Sequence, residues 1–75
     1  MNGWIFVRVA DLVESGWVIR DGRAHLKLSN GAMLCASEDN APGVVIEFGQ
    51  GAPYDQTRCQ TLEHVEELIG KLSVL

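Results

Sequence analysis

Hydrophobic and polar positions in this chain follow two different rhythms. From Trp4 to Phe48 they alternate in short runs broken by turn residues, and from Leu62 onward they recur every three to four residues. The first rhythm is that of strands with one buried face, and the second is that of an amphipathic helix. Trp4–Ala10 (WIFVRVA), rich in aromatic and β-branched residues, reads as a strand with Ile5, Val7 and Val9 on one side and Trp4, Phe6 and Arg8 on the other. Asp11–Gly16 then forms either a short helical turn with Asp11 as N-cap and Gly16 as stop, the reading we prefer, or a bulged continuation of the strand.

Two hairpin signals are the most specific local features. Asp21-Gly22 and Asn30-Gly31 each supply the positive φ angles of a two-residue type I′ turn, so that Trp17–Arg20, Arg23–Ser29 and Ala32–Ser37 become a three-stranded meander. A two-residue turn fixes register. Across the first hairpin Ile19 meets Ala24 and Trp17 meets Leu26; across the second, Leu28 meets Met33 and Leu26 meets Cys35. The core face is then Trp17, Ile19, Ala24, Leu26, Leu28, Met33 and Cys35, and the reverse face holds Val18, His25, Lys27, Leu34 and Ala36. A turn cluster ending in Pro42-Gly43, suited to a type II turn, leads into a β-branched strand, Val44–Phe48. Gly49–Asp55 is a loop by composition, and Gln56–Gln60 is a further extended run.

In the last segment Leu62, Val65, Leu68, Ile69 and Leu72 share one arc of a helix, opposite Glu63, Glu66, Glu67 and Lys71. Thr61 is placed as N-cap. Gly70 either permits close packing on the sheet or ends the helix. The expected architecture is therefore α+β: one domain over residues 1–75, an antiparallel β-meander of four to five strands packed against one C-terminal amphipathic helix.

Composition sharpens this picture. Hydrophobic residues make up 47% of the 75, and eight glycines carry the apolar share above the roughly 45–50% of ordinary domains. That surplus favours a second copy or a protein partner, because a chain this short buries little surface by itself. A net charge of −4 with only six Lys and Arg, scattered along the sequence, argues against nucleic-acid binding. No segment has the roughly 18 apolar residues of a membrane span. Two cysteines without a CxxC pair suggest reduced thiols, no disulfide and a cytoplasmic location.

Candidate chemistry is sparse. The derived register sets His25 and Cys35 on opposite faces, where they cannot act as base and nucleophile. Cys59 and His64 straddle the helix start, where the helix dipole would favour a thiolate. The spacings His25-x9-Cys35 and Cys59-x4-His64 lack the close chelating steps of structural zinc sites. Glu38-Asp39-Asn40 lacks the alternate ligands of a calcium loop, and Gly49-Gln50-Gly51 lacks the rest of a phosphate loop. No cofactor is expected and no catalytic residue is assigned. The leading expectation is a non-enzymatic, self-associating interaction module whose surface is formed by Trp4, Phe6, Val18 and Leu34. The alternatives are a small oligomeric enzyme or ligand binder with its pocket between subunits, using His25 or Cys59, and an acidic inhibitor of a nucleic-acid-binding protein displaying Glu63, Glu66 and Glu67.

Overall fold

The computed structural model describes residues 6–74. Among these the chain forms a short helix α1 (Val9–Glu14), five strands β1 (Val18–Arg20), β2 (Arg23–Lys27), β3 (Met33–Ser37), β4 (Val44–Gly49) and β5 (Asp55–Cys59), and a helix α2 (Leu62–Leu72). The strands make one antiparallel sheet in sequence order, β1-β2-β3-β4-β5. This is the α+β meander expected from the pattern, and the helical turn preferred over Asp11–Gly16 is present as α1, which starts earlier, at Val9, and ends at Glu14.

That earlier start corrects the reading of Trp4–Ala10 as a strand. Trp4 and Ile5 lie outside the described residues, Phe6–Arg8 belong to no strand, and Val9 and Ala10 are already helical. The reason lies in hydrogen bonding that propensity does not register. The backbone N–H of Arg8 donates to the Asp11 carboxylate (2.9 Å), and that of Val9 donates to Glu38 Oε2 (2.7 Å), so two donors orphaned at a helix start are satisfied by side chains. Asp11 thus caps from the third helical position, with Arg8 as N-cap, and α1 buries Val9 and Leu12. Val7 is also buried, and its N–H donates to the Gln60 carbonyl (2.9 Å).

The first hairpin has the expected register: Ile19 faces Ala24 and Arg20 faces Arg23, around positive φ at Asp21 (54°) and Gly22 (75°). The second does not. Leu26 pairs with Leu34 and His25 with Cys35, one residue away from the expected pairing. Here the loop is Ser29-Asn30-Gly31, not Asn30-Gly31 alone: Gly31 N donates to the Leu28 carbonyl (3.0 Å), Leu28 N donates to the Ala32 carbonyl (2.8 Å), and only Gly31 has positive φ (92°). This is the three-residue hairpin that closes with a left-handed glycine. The Asn30 carboxamide holds it, accepting from Ala32 N (3.0 Å) and donating to the Leu72 carbonyl at the end of α2 (2.7 Å).

A slip of one residue turns every side chain of a strand over. Leu34 and Ala36 therefore join Ala24 in the core, with Val44 and Ile46 beside them on β4, while Met33 and Cys35 move to the opposite face. The helices close the core with Leu12 from α1 and Val65 and Leu72 from α2, while Leu68 and Ile69 pack partly against it. Thr61 caps α2 as expected, its Oγ1 accepting from His64 N (3.1 Å). Leu62, assigned to the buried stripe, is mostly outside it at 39% exposed. Gly70 neither ends α2 nor permits a close contact, since a Cβ there would meet open space.

At Gly43 glycine is required twice over. Its φ is +86°, and a Cβ would lie 2.3 Å from the Cys59 carbonyl oxygen and 2.7 Å from Gln60 Cα. The Pro42-Gly43 turn thus lets the start of β4 press directly on the end of β5.

Candidate functional site

Both helices contribute to a single core, and every strand residue buried in it belongs to one face of the sheet. The other face carries Val18 and Arg20 from β1, Arg23, His25 and Lys27 from β2, Met33, Cys35 and Ser37 from β3, Val45, Glu47 and Gly49 from β4, and Gln56 and Arg58 from β5. None of these residues is buried. Val18 is 64% exposed and Met33 39%. Tyr54, just ahead of β5, is half exposed, and its ring borders Gly49. A shallow depression of about 240 Å³ lies on this face, lined by Arg20, His25, Met33, Leu34, Cys35, Glu47 and Tyr54.

The register gathers the charges as well. Four of the chain's six Lys and Arg residues, Arg20, Arg23, Lys27 and Arg58, stand on this face, with Glu47 as its one acidic strand residue. Arg58 is held by Asp39, whose carboxylate it pairs with, and donates to the Pro42 carbonyl (3.2 Å). The Arg58 hydrogen bond, aided by Ala41 N, holds the Asp39 carboxyl below its ordinary range. Among the described residues, no salt bridge engages Arg20, Arg23 or Lys27.

The row Val18–His25–Cys35–Glu47–Gln56 crosses the centre of the face. It corrects the separation of His25 and Cys35: they are direct cross-strand neighbours. The order along the row is nevertheless wrong for a relay. A nucleophile, base and orienting acid need the base in the middle, whereas here the thiol lies between His25 and Glu47, and those two are two strand spacings apart, about 10 Å. Among the described residues, no His, Cys, Asp and Glu cluster has the geometry to hold a metal ion.

Cys59 is 4% exposed in the core, and burial pushes its thiol above the ordinary range, so the helix start does not activate it. His64 is exposed and borders a shallow cleft between β5 and α2 with Cys59, Glu67 and Lys71. Glu63, Glu66 and Glu67 are exposed on α2. The cysteines are both free, and none of the described helices is long and apolar enough to cross a membrane.

The structure does not bring the four residues expected to form an interaction surface onto one face. Val18 is on the open face. Leu34 is not: it is 1% exposed and points into the core, because the longer second turn inverts β3. Phe6 is half-buried before α1, beside Glu38 and Pro42 and away from the sheet's open face, and Trp4 lies outside the described residues. The residues on or bordering the open face that sequence reasoning did not single out are Arg20, Arg23, Met33, Cys35, Glu47 and Tyr54. The signal available for them was the period-two polarity of Arg23, His25 and Lys27, which marks the outer face of β2 and, with a three-residue loop, that of β3. Compared with protein-family models, with curated proteins and with solved structures, the chain matches none.

Proposed function

We propose that this chain is a small, non-enzymatic interaction module that engages another protein through the open face of its sheet. The observation that carries this reading is the one-sidedness of the fold: the helices pack on one face of a five-stranded sheet, and among the described residues the other face has no buried member. An antiparallel sheet tolerates one solvated face when that face is polar. This one instead carries exposed Val18, Met33 and Tyr54 together with Arg20, Arg23 and Lys27, which no salt bridge among the described residues engages, and exposed apolar side chains gathered among polar ones mark an interaction surface. A symmetric pair of copies joined here would set Arg20, Arg23 and Lys27 against the same cationic face of the second copy, so we favour a different protein as the occupant.

The test is photocrosslinking in the native host, with a photoreactive amino acid in place of Val18 and, as control, in place of Glu66 on the outer side of α2. A discrete adduct from position 18 with the mass of another protein is the expected result. An adduct at twice the chain's own mass would transfer the face to self-association, and no adduct beyond that from position 66 would remove the open face from consideration.

A further inference from the structure

Resting on the reading of the open face as a protein-binding surface, we infer that its occupant is an acidic segment with an apolar side chain seated between two carboxylates. Arg20 and Arg23 are directly opposed in the register at the mouth of the first hairpin. Like charges in that position repel and are a local fault in a two-stranded pair. Among the described residues no carboxylate forms a salt bridge with either one, and an anion supplied by a partner would convert the repulsion into attraction.

Lys27 supplies the second cation. It lies on the same strand and the same face as Arg23, four residues further along, which places the two backbone positions about 13 Å apart. His25 lies between them on the same face, and beside it the depression is lined by Arg20, Met33, Cys35, Glu47 and Tyr54. An extended segment laid along β2 would present acidic, apolar and acidic side chains at positions i, i+2 and i+4, all on one side, over the same distance.

The remaining charge distribution separates an acidic protein from a nucleic acid. Glu47 stands at the centre of the face, where a phosphate backbone would have to pass, and Asp21 stands at the first turn. Tyr54 is the one aromatic ring described there, whereas sequence-tolerant single-strand binding relies on cations tracking the backbone and on several stacking rings. A short segment along β2 with two carboxylates and an apolar anchor uses the cations and sets no negative charge against Glu47 on β4.

The experiment is an NMR titration of the full chain, isotope-labelled, with a capped peptide built on Glu-Thr-Leu-Thr-Glu, its Gln-for-Glu counterpart and a thymidine decanucleotide. Saturable shifts confined to amides of β1, β2 and β3 are expected with the acidic peptide. They should weaken at least about tenfold when salt rises from about 10 mM to about 1 M, as the screening length falls from about 30 to about 3 Å. The Gln peptide should bind at least about tenfold more weakly, and Arg20→Glu with Arg23→Glu should lose binding while keeping a dispersed spectrum; Arg20→Gln with Arg23→Gln, the milder pair, should fall between. Equal binding of the Gln peptide, binding indifferent to these substitutions, or no open-face shifts at millimolar peptide would each overturn the inference. Tighter binding of the decanucleotide would assign the face to nucleic acid instead. If these arms fail while position 18 still crosslinks to another protein, the partner's chemistry is wrong and the interaction face stands; if both fail, the face itself is wrong.

Discussion

Replacing Gly43 with alanine tests the most constrained contact in the fold. Two costs combine. Alanine at φ +86° leaves the allowed right-handed region, at about 1–2 kcal/mol. Its Cβ would also lie 2.3 Å from the Cys59 carbonyl oxygen and 2.7 Å from Gln60 Cα, both backbone atoms that a rotamer change cannot move. Relief requires the β4–β5 pair to part by most of an ångström where Val44 faces Cys59, and overpacking of that kind costs about 1–3 kcal/mol. The sum, about 2–5 kcal/mol, is a large share of the about 4–10 kcal/mol that holds a domain of this size. Gly22→Ala is the matched control: φ is +75°, but a Cβ there meets nothing within 4 Å, so only the conformational cost applies. In urea unfolding with a slope of about 1 kcal/mol/M, Gly43→Ala should lower the midpoint by about 2–5 M and Gly22→Ala by about 1–2 M. Equal midpoints for the two variants would refute the close approach of β4 to β5.

Gly70→Ala should have the opposite sign, raising stability by about 0.5–1 kcal/mol in the same assay, because α2 continues through this position and open space lies beyond it. Leu34→Ala should cost about 2–5 kcal/mol by leaving a cavity in the core, whereas Val18→Asp should stay within about 0.5 kcal/mol of wild type; a Leu34→Ala cost as small as that of Val18→Asp would restore the register of a two-residue second turn. Cys59 gives a pH dependence. Its folded thiol titrates above its unfolded value, so at pH between the two the unfolded state holds fewer protons and stability falls as pH rises past about 8.5. Urea unfolding at neutral and alkaline pH should show this fall in the wild type and a smaller one in Cys59→Ala; identical slopes would place the Cys59 thiol in water.

How the sequence and the structure divide the work is clearest in β3. Asp21-Gly22 determined its own hairpin, because both residues took the left-handed conformation that a two-residue turn needs and no longer loop competed. The periodicity of α2 and its Thr61 cap were likewise local properties, legible from spacing alone. Asn30-Gly31 was ambiguous, since a single left-handed glycine serves a three-residue loop as well as a two-residue one. Met33-Leu34-Cys35-Ala36 is apolar at every position and offers no alternation to decide between them. The choice was made by packing: with the longer loop Leu34 and Ala36 meet Ala24, Val44 and Ile46, and Asn30 reaches the end of α2, 42 residues away. The start of α1 was hidden for a similar reason, because Glu38 caps it from 29 residues away and outweighs the strand preference of Val7 and Val9. From its local patterns, then, the chain determined its class, most of its strands and its C-terminal helix. Which face of β3 turns outward, and with it the placing of Met33, Cys35, Glu47 and Arg58 on the same open surface as Arg20, Arg23 and Lys27, was decided only by tertiary structure, since a one-residue difference in a loop costs little locally and is resolved by the burial of side chains distant in sequence.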